Sequence, residues 1–240
     1  MIKSILAAAA VMFTVGTAQA QTFEGATARF EFLHYDDGAG FTLSQVNAGA
    51  DAAFRFSSGF GVQVGVNGMT EVASSDPFLT FQTIGGVAVH NFYDVSGTTR
   101  LGALVAYDTF NGGDWFLGAE ATYVSGPWRL EARGGHYFSS VEPAWLLEAS
   151  GSYAVSDRFR LRGYLRNIDY GAGFGYYRLA GVGASVAVTD QISFYGDYAL
   201  MWNDFGKPPV YRGSVISAGL TFRLDGAGDS DRMFTYKPYY

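Results

Sequence analysis

Apolar and polar side chains alternate along most of this chain, in runs of about ten residues that end at polar turns. Between residues 159 and 166, the odd positions are Phe, Leu, Gly and Leu, whereas the even positions are Arg, Arg, Tyr and Arg. Successive side chains of a β-strand point to opposite faces of its sheet. The pattern therefore predicts strands with one apolar face and one polar face.

Twelve such strands are predicted, and residues 79–92 form the least regular of them, so ten or fourteen strands are the alternatives. In all of them the apolar residues stand at alternate positions and so share one face, which we call the same parity. A soluble β-sandwich of this size rarely keeps such a pattern through every strand. The pattern favours an all-β fold, a transmembrane antiparallel β-barrel with lipid outside and water inside. The predicted strands are 23–34, 41–56, 60–67, 79–92, 101–107, 115–124, 128–138, 145–155, 159–166, 177–188, 192–200 and 215–224.

The N-terminus predicts export. A short cationic start at Met1–Lys3 precedes an apolar run, and Ala18-Gln-Ala20 is a small-residue cleavage site, which together are typical of a secretory signal peptide. We expect a signal peptide at 1–20, a barrel at 21–224 and a C-terminal tail at 225–240. An even strand count places both barrel ends on the periplasmic side of a bacterial outer membrane. The turns near residues 57, 96, 125, 156 and 189 are then periplasmic, and the links 36–40, 70–77, 111–114, 139–143, 171–175 and 204–213 are extracellular.

Composition narrows the function classes. The chain has a formal net charge of −6 and no run of basic residues, which argues against a nucleic-acid partner. It has no cysteine and is therefore not a disulfide-stapled domain. Its 32 glycines, 16 tyrosines and 20 phenylalanines favour many short strands with aromatic belts. The predicted belts contain Phe60, Trp128, Tyr153 and Phe159 at one rim, and Phe32, Tyr107, Trp115, Phe138, Trp145 and Tyr177 at the other.

The last strand has a polar residue, a glycine, an aromatic residue and an apolar residue at fixed spacing, namely Ser217, Gly219, Phe222 and Leu224. This motif resembles the terminal assembly signal of bacterial outer-membrane β-barrel proteins, with Leu224 where an aromatic residue is usual. The resemblance implies that the barrel-assembly machinery and outer-membrane lipid are partners of the chain. The aromatic run 234–240 is a competing signal, but Pro238 is a poor strand residue. We interpret the tail as a periplasmic or lumen-packed extension.

Arginines dominate the predicted inner wall and lie on neighbouring strands. A one-sided guanidinium track favours anions in a narrow channel. This arrangement resembles the small monomeric porins for acidic oligosaccharides, which also use about twelve strands. The alternative is a salt-bridge network that fills the lumen, although inward glycines at 61, 65, 86, 102 and 118 favour an open pore. The predicted pore-lining and solute-binding residues are Arg129, Arg133, Arg160, Arg162, Arg166, Arg178, Glu131 and Glu148.

Catalytic and metal sites have little support in the sequence. His136 and Ser139 lie close together, but parity places His136 on the lipid side, and His90 points inward alone. Three scattered histidines without cysteine give no metal-ligand spacing, and Gly171–Gly175 is a loop without a helix that could hold a phosphate. We predict no catalytic residues, no metal and no cofactor.

The function that we predict is passive diffusion of small hydrophilic, anionic solutes. A sealed structural or adhesive barrel is the first alternative, and a rim-located lipid hydrolase is the second.

Overall fold

The computed structural model describes residues 22–56, 59–76, 83–109, 113–139, 143–171, 175–204, 210–225 and 232–234. These residues form a closed antiparallel barrel of twelve strands, in which each strand pairs with the next one in sequence and the last pairs with the first. The strands are β1 (Thr22–Asp36), β2 (Thr42–Arg55), β3 (Phe60–Ser74), β4 (Thr83–Asp94), β5 (Thr99–Asp108), β6 (Asp114–Ser125), β7 (Trp128–Phe138), β8 (Ala144–Ala154), β9 (Phe159–Asp169), β10 (Tyr176–Ala187), β11 (Ile192–Asp204) and β12 (Tyr211–Asp225).

The barrel closes between β1 and β12. Their register runs from Gly25 opposite Asp225 to Asp36 opposite Ser214, so the sheet has no exposed edge there. A β-bulge between Phe23 and Gly25, where β1 pairs with β2, shifts the alternation at the start of the chain. Because of this shift, the side chain of Glu24 is buried in the lumen.

The two ends of the barrel differ in their connections. We call the end where β1 begins and β12 ends the near end, and the opposite one the far end. Three near-end turns share one design, in which a Ser or Thr hydroxyl accepts hydrogen bonds from amides two and three residues further on. Ser96 accepts from Thr99 at 3.1 Å, Ser156 from Phe159 at 3.1 Å and Thr189 from Ile192 at 3.0 Å. Such side-chain bonds stabilise tight turns.

The outer face is apolar and has aromatic residues near both ends. At the near end the rings of Trp128 and Tyr153 lie 4.7 Å apart, and Phe60 contacts Tyr93. At the far end Trp145 is 64% exposed on this outer face. The prediction for Tyr177 was wrong, because this side chain is buried inside the barrel among other apolar residues.

Several predicted boundaries also need correction. Strand β3 continues to Ser74, so Thr70 and Glu71 lie in a strand and not in a link. The irregular segment contains a regular strand, β4, that begins at Thr83 and continues past Phe92 to Asp94. The predicted signal peptide and its cleavage site lie outside the described residues. Within the described ranges, no helix is long and apolar enough to cross a bilayer.

Candidate functional site

The lumen contains a cavity of about 230 Å³, lined by both polar and apolar side chains, along the inner faces of β7 to β12 and β1. A wider vestibule of about 1020 Å³ lies at the near end, and both spaces border Arg129, Arg160, Arg162 and Arg223. Among the described residues, six arginines and three aspartates line the vestibule. The near-end entrance is therefore cationic even though the chain is acidic overall.

Three of the predicted residues form one ion-pair triad. The carboxylate of Glu148 accepts from Arg166 at 2.7 Å and contacts Arg133 at 3.1 Å. Both arginines are buried. The three side chains come from β7, β8 and β9, in a register that places Glu148 opposite both Arg133 and Arg166. The triad thus ties three adjacent strands together inside the lumen.

Arg162 belongs to a second polar network. Its guanidinium group forms a two-point ion pair with Asp197 and lies 4.6 Å from the centre of the Tyr195 ring. Ser217 donates to the same carboxylate at 3.2 Å, and Tyr195 donates to Glu31 at 2.8 Å. The hydroxyl group of Ser217 thus has a role inside the barrel. The assembly role predicted for Ser217 stays a prediction.

Arg160 differs from its neighbours in the lumen. Its Nη1 donates to the hydroxyl of Ser152 at 3.1 Å, and none of the carboxylates that the structure describes pairs with it. A guanidinium group carries five N–H donors, so the bond to Ser152 leaves most of the donors of Arg160 available where it borders the cavity. Arg129 is less available, because it pairs with Glu131 at 2.8 Å and also donates to the carbonyl of Met233.

Arg178 does not line the lumen. It is exposed on the outer face of β10, next to the buried Tyr177 and Leu179. Its guanidinium group lies 3.8 Å from the centre of the Tyr176 ring and donates to Asn167. Its parity explains the error, since Arg178 shares a face with the outward Val182 and Val186.

Of the C-terminal tail, residues 232–234 are described, and they lie inside the lumen; the interpretation of the rest of the tail stays a prediction. Residues 232–234, the tail segment, are buried against the inner wall of β3 to β7. Gln63 donates to the carbonyl of Phe234 at 2.7 Å and accepts from its amide at 2.9 Å. The Phe234 ring stacks on His90 at 5.7 Å. His90 is therefore not alone, and it also contacts Glu120 at 2.7 Å.

An ion cluster at the near end holds the first residue of this segment. Asp94 contacts Arg55 at 2.8 Å, Arg100 at 2.9 Å and Arg232 at 3.4 Å. Glu24 pairs with Arg100 at 2.8 Å and also with Arg55. Sequence reasoning missed Arg100 because the predicted strand began one residue later. It missed Glu24 because a β-bulge changes the alternation.

The inward glycines do not indicate an open pore. Side chains from elsewhere fill the space above them: Phe92 covers Gly61, Asp51 covers Gly65, and Phe234 with Glu120 covers Gly102. A Cβ atom at Gly102 would lie 2.8 Å from the Phe234 ring. The glycines thus make room for the tail segment and for large inner side chains.

We expect the tail segment to stabilise the barrel. Deleting residues 226–240 should lower the midpoint of thermal unfolding by several degrees, because Met233 and Phe234 lose about 1.5–3 kcal/mol of apolar burial each. The measurement is the heat-dependent mobility of the refolded barrel on a gel. Deleting only residues 235–240 is the matched control, since it keeps the buried tripeptide. Equal midpoints for the two deletions would contradict the stabilising role.

Apolar side chains fill the far half of the lumen. They come from ten of the strands, pack into one buried cluster, and form what we call the apolar collar. Phe116 covers Gly118 and Gly135 and contacts Tyr137 at 4.6 Å. Sequence reasoning missed this collar, although its members occupy inward parity. They are Leu33, Ala88, Leu104, Ala106, Phe116, Tyr137, Ala144, Leu146, Ile168, Tyr177, Leu179, Ala199, Met201 and Val215.

His136 lies on the outer face, as its parity predicts. Its ring contacts Phe138 at 4.6 Å and Trp145 at 4.8 Å, both in edge-on geometry. Burial among belt aromatics favours a packing role over general-base chemistry. Within the described ranges, no group of three or more His, Cys, Asp or Glu side chains is placed to hold a metal ion.

Comparison with known proteins identifies the architecture. No family model and no curated protein matches the sequence. Among solved structures, the barrel is similar to the NanC porin, with a TM-score of 0.60, 10% identity and coverage of 81% of this chain and 98% of NanC. The chain has a porin fold. An outer-membrane channel from Pseudomonas putida F1 is also similar, with a TM-score of 0.59, 12% identity and coverage of 87% and 98%.

A third similar structure is the KdgM porin, with a TM-score of 0.53, 14% identity and coverage of 81% of this chain and 98% of KdgM. Identities this low relate the folds alone.

Proposed function

We propose that this chain is an outer-membrane channel for the passive diffusion of small anionic solutes. The observation that carries the proposal is the lumen cavity next to a cationic vestibule, because Arg160 and Arg162 border both spaces. The apolar outer face with aromatic residues near both ends supports a membrane setting. The similarity to the NanC and KdgM porins supports a channel, and KdgM has been solved in complex with oligogalacturonate.

The orientation follows from the connections. Short turns are typical of the periplasmic end of outer-membrane barrels, so we place the near end in the periplasm. Export by the predicted signal peptide, with cleavage after Ala20, belongs to the same proposal. So does recognition of Gly219, Phe222 and Leu224 by the barrel-assembly machinery. Phe222 and Leu224 are exposed on the outer face of β12, where another protein can reach them.

The anion preference rests on the charges that remain available. The pair of Arg162 with Asp197 is internally neutralised, and in the triad the carboxylate of Glu148 offsets one of the two guanidinium charges, so both groups contribute mainly structure. Arg160 borders the cavity, and none of the carboxylates that the structure describes pairs with it. A charge in a narrow, low-dielectric channel acts strongly on passing ions.

A sealed barrel is the second candidate, and the apolar collar favours it. Packed apolar side chains in the far half exclude water in the same way as a protein core. A channel function requires that this collar passes solutes transiently, whereas a structural barrel requires no passage. Electrical recording separates the two functions.

The decisive experiment is single-channel recording of the refolded mature protein in a planar bilayer with a salt gradient. We expect discrete openings with an anion-selective reversal potential. Arg160→Glu should shift this potential toward that of cations, because it reverses the charge at a position that borders both the cavity and the vestibule. Arg178→Glu is the matched control and should leave it unchanged, since Arg178 lies on the outer face. Silence from protein that is shown to be folded and inserted would refute the channel and leave the sealed barrel.

A further inference from the structure

We infer that the solute for which this lumen is built is an apolar monocarboxylate, with a carboxylate head and an elongated apolar body about as wide as one aromatic ring. This inference rests on the proposed channel function and narrows its substrate class. It also separates this barrel from a channel for hydroxyl-rich sugar acids.

The cavity has two chemically different ends. Near the vestibule lies Arg160, bonded to Ser152, and a carboxylate can accept two parallel hydrogen bonds from the donors that remain free. Toward the far end the cavity borders Leu33, Leu179 and Val215, which are buried members of the apolar collar. The Glu148 triad lies at the level of Leu179, and its two arginines are engaged with the carboxylate that they share. An anionic head and an apolar body match these two ends.

The strand register sets the length of the solute. Arg160 pairs with Ser185, and Arg166 pairs with Leu179, six residues further along β10. At about 3.3 Å per residue and a strand tilt of about 35–45°, the two levels are about 15 Å apart along the barrel axis. The long Arg160 side chain spans part of that distance, so the solute has to span the remainder. A bare ring is too short, whereas a ring on a short acyl chain has the required shape.

The volume limits the width. An apolar cavity of about 150 Å³ holds benzene, and pockets for drug-sized ligands begin at about 300 Å³. The lumen cavity, at about 230 Å³, fits one ring with a short chain and a carboxylate. It is too small for an oligosaccharide to lie within it.

The apolar collar supplies the selectivity. A hydroxyl group that enters an apolar passage loses its hydrogen bonds to water, and each additional hydroxyl adds to the cost. A sugar acid carries several hydroxyls, whereas an aryl or acyl chain carries none and gains from leaving water. The carboxylate is the one group that requires compensation, and Arg160 provides it at the entrance of the passage. Charge alone therefore admits both acids to the vestibule, but the collar favours the apolar one.

The test measures binding and conduction separately, on the refolded full barrel in detergent and in bilayers. Calorimetry uses 3-phenylpropionate as the probe, glucuronate as the hydroxyl-rich acid and 3-phenylpropanol as the uncharged analogue. We expect binding of 3-phenylpropionate that is at least about tenfold tighter than that of either analogue, since each lacks one of the two matched features. Arg160→Gln should weaken it about tenfold. Arg178→Gln should leave it unchanged.

Each outcome decides one question. Glucuronate binding as tight as that of 3-phenylpropionate, or no binding of 3-phenylpropionate, would overturn the inference. The comparison of the three probes uses the wild-type barrel, so it decides the inference even where Arg160→Gln does not fold. The chloride current decides the channel function independently, because a barrel that conducts chloride and prefers glucuronate is a channel for a different substrate class.

Discussion

Phe116→Ser is expected to raise the single-channel chloride conductance about tenfold. Phe116 is 1% exposed and lies across Gly118 and Gly135 in the apolar collar. A hydrophobic constriction closes a channel to ions because water leaves it. Serine both removes the ring and supplies a hydroxyl that anchors water, so the constriction should become wet. The measurement is conductance in a planar bilayer at fixed salt, together with the selectivity for 3-phenylpropionate over glucuronate, which should fall.

The neighbouring residue provides the control for this prediction. Leu117→Ser makes the same change one position along β6, but Leu117 is 53% exposed on the outer face, so its conductance should remain that of the wild type. Truncation of a buried Phe costs about 3–5 kcal/mol, so folding of each variant has to be verified on a gel first. Unchanged conductance in a folded Phe116→Ser barrel would show that the collar does not control the ion current.

Alternation of side chains was sufficient to predict the barrel. The positions of Arg129, Arg160 and Arg162 on the inner wall follow from parity alone, as does the outward position of His136. The number of strands follows from counting the alternating runs, because each run forms one strand of the barrel wall. Charge was a less reliable criterion than the alternation of faces. The prediction that Arg178 lines the lumen rests on its charge, whereas the alternation along β10 places it on the outer face.

The contents of the lumen were harder to predict, for two physical reasons. The tail segment docks through contacts between residues far apart in sequence, such as Gln63 with Phe234, and no local pattern encodes such a pair. The apolar collar was hidden by the expectation that an inner wall is polar. Leu104 and Leu179 occupy inward positions on their strands, so a count of apolar residues at inward parity in the far half would have revealed it.

The sequence left open whether the arginines serve solutes or structure, and the geometry divides them. Arg133, Arg162 and Arg166 each contact a carboxylate, whereas Arg160 contacts only a hydroxyl among the residues that the structure describes. Residues of one type on one wall thus take two roles, and the register decides which. A carboxylate lies opposite Arg166 on the adjacent strand, whereas Ala154 lies opposite Arg160.

Glu148→Gln is expected to destabilise the barrel by about 3–5 kcal/mol, because it leaves Arg133 and Arg166 buried without the carboxylate that they share. That loss is a large fraction of the stability of a typical domain, about 5–15 kcal/mol. The measurement is the concentration of guanidinium chloride at which half of the barrel is unfolded, in lipid vesicles. Glu131→Gln is the matched carboxyl-to-amide control, and it should cost less because its partner Arg129 is more exposed and also donates to Met233.

The triad also predicts a rescue that distinguishes a buried charge from a lost contact. Replacing all three residues, with Arg133→Met, Glu148→Leu and Arg166→Met, removes every charge at once and should recover most of the stability, because buried ion pairs are often no more stabilising than apolar residues of similar volume. A triple variant less stable than Glu148→Gln would show that the triad stabilises the barrel by its own attraction. A Glu148→Gln barrel as stable as the wild type would show instead that water in the cavity solvates the two guanidinium groups, and that the lumen is wetter at this depth than its packing indicates.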